Sequence, residues 1–82
     1  MENLETLREE LSEIDDTIIE LIMYRRQLSK RISIVKNANN LPYINKASHD
    51  FTNAKYNNAL GILGRDIYYK IHIDSLEIQK EL

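Results

Sequence analysis

The chain contains no cysteine and no tryptophan, and only one proline and two glycines interrupt its 82 residues. Without thiols, neither disulfides nor thiolate metal sites can brace it. A chain this short forms one domain, residues 1–82, and buries only a modest fraction of its surface. Small scaffolds that lack such staples rely on oligomerisation. No run of about 18 apolar residues is present to span a membrane, and Met1-Glu2-Asn3 does not open a signal peptide. The expectation is a cytoplasmic protein with no membrane partner. Eleven basic residues against thirteen acidic ones leave a formal net charge of −2. That balance provides no basic stripe, which argues against a nucleic-acid partner, and the five tyrosines lack the basic interleaving of a single-strand binder. Phosphate-cradling glycine loops, nucleophile elbows and zinc spacings are missing too. His49 and His72 do not stand at a metal-ligand spacing, so no metal is expected.

What the chain does have is helical periodicity. Leu4, Leu7, Leu11, Ile14, Ile18, Leu21, Arg25, Leu28, Ile32 and Val35 recur with 3,4 alternation, a heptad seam that predicts one long helix over roughly residues 4–37. Asn3 is placed to cap it, Glu5, Glu9 and Glu10 suit its positive end, and Lys30, Arg31 and Lys36 its negative end. Asn37, Asn39, Asn40 and Pro42 stop it. A second helix is predicted over roughly 48–60, with Ser48 as cap, and Gly61-Ile62-Leu63-Gly64 reads as a turn. The third helix, roughly 65–81, sets Ile67, Ile71, Ser75, Ile78 and Leu82 on one face. The fold class is all-α with three helices.

The first helix is too long for a compact monomer. About 34 residues span roughly 50 Å, whereas a globule of this length is roughly 30 Å across. A second copy packed along the seam is the simplest cover, which makes the predicted architecture an intertwined homodimer.

One seam position is a cation. Arg25 on a packed seam costs several kcal/mol unless it is paired; it either sets register or snorkels, or it serves a ligand. Lys36 follows three turns later, about 16 Å away and nearly on the same side, so both side chains can converge on one small anion. Arg8 lies about 25 Å from Arg25 and roughly 100° around the helix. It can join them only from an antiparallel partner chain, and taken alone it reads as a solvated charge. On the third helix, Ser75 and Gln79 form an i,i+4 pair on one face. Either Ser75 bonds its own helix backbone and Gln79 faces water, or the two add neutral hydrogen-bonding groups to a cationic pocket.

These residues are similar to the motifs of the all-helical chorismate mutases. Leu7-Arg8-Glu9-Glu10-Leu11, Ile14-Asp15, Arg25-Arg26-Gln27-Leu28 and Ile34-Val35-Lys36 resemble the family's first-helix signature in order and spacing. Leu41-Pro42 matches its helix-ending turn, and Ser75-Leu76-Glu77-Ile78-Gln79 resembles its third-helix motif. The resemblance implies an intertwined homodimer acting on chorismate without a cofactor. Arg8 of one subunit and Arg25 of the other would hold the two substrate carboxylates. Lys36 would bond the ether oxygen and a carboxylate, Gln79 the same ether oxygen, and Ser75 the carboxylate end.

The second-helix motif departs from the family. In place of an acidic residue followed by an Arg-Glu pair stands Asn45-Lys46-Ala47-Ser48-His49-Asp50. Without a gap, the family's acid falls on Asn45, its Arg on Ser48 and its hydroxyl-binding Glu on His49. One extra residue at Tyr43 moves them to Lys46, His49 and Asp50. The second register is preferred because it aligns Ile44-Asn45 and keeps a basic-acidic pair, making His49 and Asp50 the expected substrate contacts; otherwise these two merely cap the helix. Two other activities share this frame, an isochorismate-pyruvate lyase and a mutase acting on the amino analogue of chorismate, and a third alternative is a non-catalytic helical dimerisation module.

Overall fold

The computed structural model describes residues 2–42 and 44–80, and these form three helices without a strand. Helix α1 runs Leu4–Ala38, α2 Lys46–Leu60 and α3 Ile62–Lys80. The ends of α1 fall where the sequence places them. Asn3 caps the start, its side-chain oxygen accepting from the Glu5 amide at 2.8 Å. At the other end Asn40 takes a left-handed φ of 55°. The Leu41 amide then returns to the Lys36 carbonyl at 2.8 Å and the Asn40 amide to the Asn37 carbonyl at 3.3 Å. That pair of bonds is a Schellman motif, closed by asparagine where glycine is commoner. It holds the turn that carries Lys36.

The later boundaries differ from expectation. Helix α2 begins at Lys46 and is capped by Asn45, whose side chain accepts from the Ser48 amide at 3.1 Å. Asparagine is as good a cap as serine, so Ser48 enters the first turn, and His49 and Asp50 lie inside the helix instead of capping it. The predicted four-residue turn contracts to one residue, Gly61, with φ +63°. Glycine accepts that conformation without a Cβ penalty, and α3 starts at once.

Gly64 is therefore helical, and it marks the closest approach of α3 to α2. A Cβ at this position would overlap the Tyr56 carbonyl. Contact at that point turns α3 so that Gly64, Tyr68, Ile78 and Gln79 are its buried residues. The predicted face is rotated by about one residue: Ile67 is exposed and Ile71 half-buried. Glu81 and Leu82, the end of the predicted third helix, lie outside the described residues, as does Tyr43.

Helix α3 packs against both other helices, whereas α1 and α2 do not pack on one another among the described residues. Polar ties join α1 and α3 among the described residues. Arg26 pairs with Asp74 at 3.1 Å, an exposed bridge worth about 0–1 kcal/mol. Within α1 itself Ser33, fully buried, returns its hydroxyl to the Ser29 carbonyl at 2.9 Å.

The long helix leaves the body of the molecule. The protein extends 58 × 24 × 14 Å with a radius of gyration of 16.3 Å, against about 12 Å for a compact domain of this length. Leu4, Leu7, Leu11, Ile14, Ile18 and Leu21 are all exposed, a row about 26 Å long. Among the described residues only Tyr68 and Ile78 are buried large apolar side chains. At roughly 1.5–3 kcal/mol each, two such side chains make a slender core for an 82-residue chain.

Candidate active site

Three helices converge on one cavity of about 240 Å³. Helix α1 contributes Arg25, Ser29 and Lys36, α3 contributes Tyr68, His72, Ser75 and Gln79, and the start of α2 brings Asn45, Ser48 and His49. Both full cations thus come from α1, and the imidazoles face them from the α2–α3 side. Among the described lining residues no side chain is acidic.

Arg25 is half-buried and donates through Nη1 to the Ser75 hydroxyl at 2.9 Å. Ser75 also stands 3.3 Å from the Ser29 hydroxyl. It therefore serves the α1–α3 junction and not its own helix backbone. The guanidinium group is held by the Ser75 hydroxyl, itself paired with Ser29, and it carries further donors that an anion could use. Arg25 does not snorkel away from the body of the protein; it lines the cavity.

Gln79 is only 7 % exposed, and its Oε1 is buried without a hydrogen-bond partner. A buried amide oxygen left unpaired costs about 1–3 kcal/mol. The residue lines the cavity. Rotation about χ3 lets the amide present its oxygen or its nitrogen.

The wall opposite α1 is a cluster of rings. The His49 and His72 rings lie 4.1 Å apart between centroids, and the Tyr68 ring lies 5.3 Å from His49. His49 Nδ1 and the Tyr68 hydroxyl are hydrogen-bonded at 3.0 Å. Tyr56 stacks on Tyr68 at 5.4 Å. Burial pushes His72 below the ordinary imidazole range, with further lowering from His49 and Arg25, so His72 is neutral at pH 7. Burial also raises the Tyr68 phenol above its usual value, although Arg25 works against this; the hydroxyl stays protonated.

Five of the seven residues singled out in the sequence, Arg25, Lys36, His49, Ser75 and Gln79, line this cavity. Two do not. Arg8 is exposed on α1, about 25 Å from Arg25 along the helix, and reaches the cavity only if another chain brings it. Asp50 is exposed and is not among the lining residues, while His49 and Ser48 line the cavity. Tyr43, where the preferred register takes one extra residue, lies outside the described residues. A basic-acidic pair is not retained at the wall, because consecutive helical residues point about 100° apart.

Sequence reasoning missed His72, Tyr68 and Ser29. A signal was present: Tyr68, His72, Ser75 and Gln79 recur at 4, 3, 4 spacing, a polar stripe beside the apolar one. The apolar stripe drew the face one residue too far round. Comparison of the chain with protein-family profiles, curated proteins and solved structures finds no match.

Proposed function

We propose that the protein is a chorismate mutase that works as a homodimer, with Arg8 of each subunit completing its partner's site. The observation that carries this reading is the meeting of Arg25, Lys36, Ser75 and Gln79 in one cavity. A ligand for such a site is a small anion with a hydrogen-bonding oxygen between its charges. Chorismate, a dianion with an ether bridge, has that form.

The reaction is intramolecular: one C–O bond breaks, one C–C bond forms, and no proton or group leaves. The protein must hold the folded conformer and stabilise negative charge growing on the ether oxygen. Arg25, fixed by Ser75, and the partner's Arg8 would hold the carboxylates. Lys36 and the Gln79 amide would donate to the ether oxygen. Preorganised donors act more strongly in a water-poor site than in solution.

The dimer is supported by the apolar row from Leu4 to Leu21, exposed in the single chain, since contiguous patches of that size mark interaction surfaces. An antiparallel copy on this row would cover it and carry Arg8 toward Arg25. The test is turnover: purified protein is mixed with chorismate, and substrate loss and product are followed. Prephenate formation supports the reading. Pyruvate release from isochorismate would instead mark a lyase, and a folded dimer inert toward both would mark a dimerisation module.

A further inference from the structure

Charge on α1 is divided by position. Residues 4–20 carry seven acidic side chains against the single cation Arg8, whereas residues 21–38 carry five basic side chains and no acidic one. Each half also exposes an apolar groove with a rim of its own charge. Ile14 and Ile18 lie beside Glu10 and Glu13 in the first half, and Leu28, Ile32 and Val35 beside Arg31 in the second. Glu10 and Arg31 are exposed, and neither has an ion-pair partner among the described residues. We propose that the two halves are complementary docking surfaces for a second copy of this chain, whose charges admit it antiparallel, in one register, with Glu10 against the partner's Arg31. This inference rests on the homodimer of the functional reading and deepens it by naming what fixes the partner's direction.

The register follows from the heptad. In an antiparallel pair the a positions of one helix, Leu4 to Ile32, face the d positions of the other, Leu7 to Val35. One alignment uses every seam residue: Leu4 faces the partner's Val35, Leu11 the partner's Leu28 and Ile18 the partner's Leu21. A slip by one heptad strands apolar layers at both ends. In the full alignment the flanking Glu10 lies beside the partner's Arg31, and the two-fold axis repeats that pair. The same alignment sets Arg8 beside the partner's Ser29, and Ser29 lines the cavity. The ion pairs and the shared site therefore belong to one register. A parallel copy is refused by the same side chains, since its flanks would put Glu10 against the partner's Asp15 and Arg31 against the partner's Lys36. Like charges set against one another suppress the wrong arrangement, while opposite charges steer the right one.

The experiment measures dimerisation of the whole chain by sedimentation and native mass spectrometry, with chorismate turnover assayed in parallel. Glu10→Arg and Arg31→Glu are each prepared alone, mixed in equal amounts, and combined in one chain. Either single reversal turns both cross-chain pairs into like-charge pairs, so its homodimer should weaken about tenfold or more. In the mixed dimer every pair is opposite again. The heterodimer should therefore exceed the half that random pairing gives and take nearly all of the dimer. The doubly reversed chain should homodimerise like the wild type. Circular dichroism establishes that each variant is helical, and if one single variant fails to fold, the other compared with the doubly reversed chain carries the test. Homodimers of undiminished strength in the single variants, or random pairing in the mixture, overturn the charge pairing and leave the mutase reading standing. Charge-selected dimers that do not turn over chorismate support the pairing and remove the mutase reading. A wild-type chain that stays monomeric overturns both.

Discussion

Replacing Gln79 with methionine should make the protein more stable and less active. The side chain keeps its length and volume but loses the amide oxygen that is buried without a partner. An unsatisfied group of this kind costs about 1–3 kcal/mol, and removing it together with its polarity recovers part of that sum. Apolar area at a residue only 7 % exposed adds to the gain. A net stabilisation of about 1 kcal/mol raises the melting temperature by roughly 4–8 °C in a domain of this size. Activity should move the other way. Loss of one preorganised donor to a developing oxyanion lowers kcat by about 10²–10³. Thermal melts followed by far-ultraviolet circular dichroism and initial rates with chorismate measure the two quantities on the same preparation. A destabilised variant with undiminished rate would refute the reasoning, since Gln79 would then belong to the fold and not to a ligand.

Four further outcomes follow from the same geometry. Gly64→Ala gains about 1 kcal/mol of helix propensity but drives a Cβ into the Tyr56 carbonyl; overpacking against backbone costs about 1–3 kcal/mol, so a lowered melting temperature is expected, and an unchanged or raised one contradicts the close crossing. Arg25→Leu should preserve or raise stability, since Ser29 and Ser75 remain 3.3 Å apart and can bond each other, while activity is lost; an active variant would make Arg25 a mere seam charge. His72 binds its proton less readily when folded than when unfolded, so the unfolded chain takes up more protons as pH falls through the ordinary imidazole range near 6.5. Stability should therefore drop from pH 7.5 to pH 5.5, and His72→Gln should flatten that portion of the profile; an equal slope in both proteins excludes the residue as the cause. Leu11→Lys on the exposed row should leave a stable monomer unaffected but shift a dimer toward dissociation, as sedimentation would show.

Helix α1 was legible because its seam is repetitive: ten positions at 3,4 spacing leave little freedom in register, and Asn3 supplies a cap at the right place. Arg25 and Lys36 were legible for the same reason, being charges measured against a regular background. The α2–α3 hairpin was not. Its geometry depends on single residues, with Asn45 outcompeting Ser48 as cap and Gly61 alone making the turn. Gly64 then decides which face of α3 is buried, through a close approach that no periodicity reveals. The histidine wall depends on that choice. His49 and His72 are 23 residues apart in sequence and meet only because α3 folds back on α2 at the Gly64 crossing.

The proposed site is a shared one, in which the Arg25 of one chain works with the Arg8 of another. It is tested most directly by mixing two inactive variants, Arg8→Ala and Arg25→Ala, after dissociation and reassociation, and assaying chorismate turnover. In a two-fold symmetric dimer the mixed species holds one intact site and one doubly altered site. Random pairing makes half the dimers mixed, so recovery of about a quarter of the wild-type rate per chain is predicted. No recovery, from variants that fold and exchange subunits, would contradict the shared site.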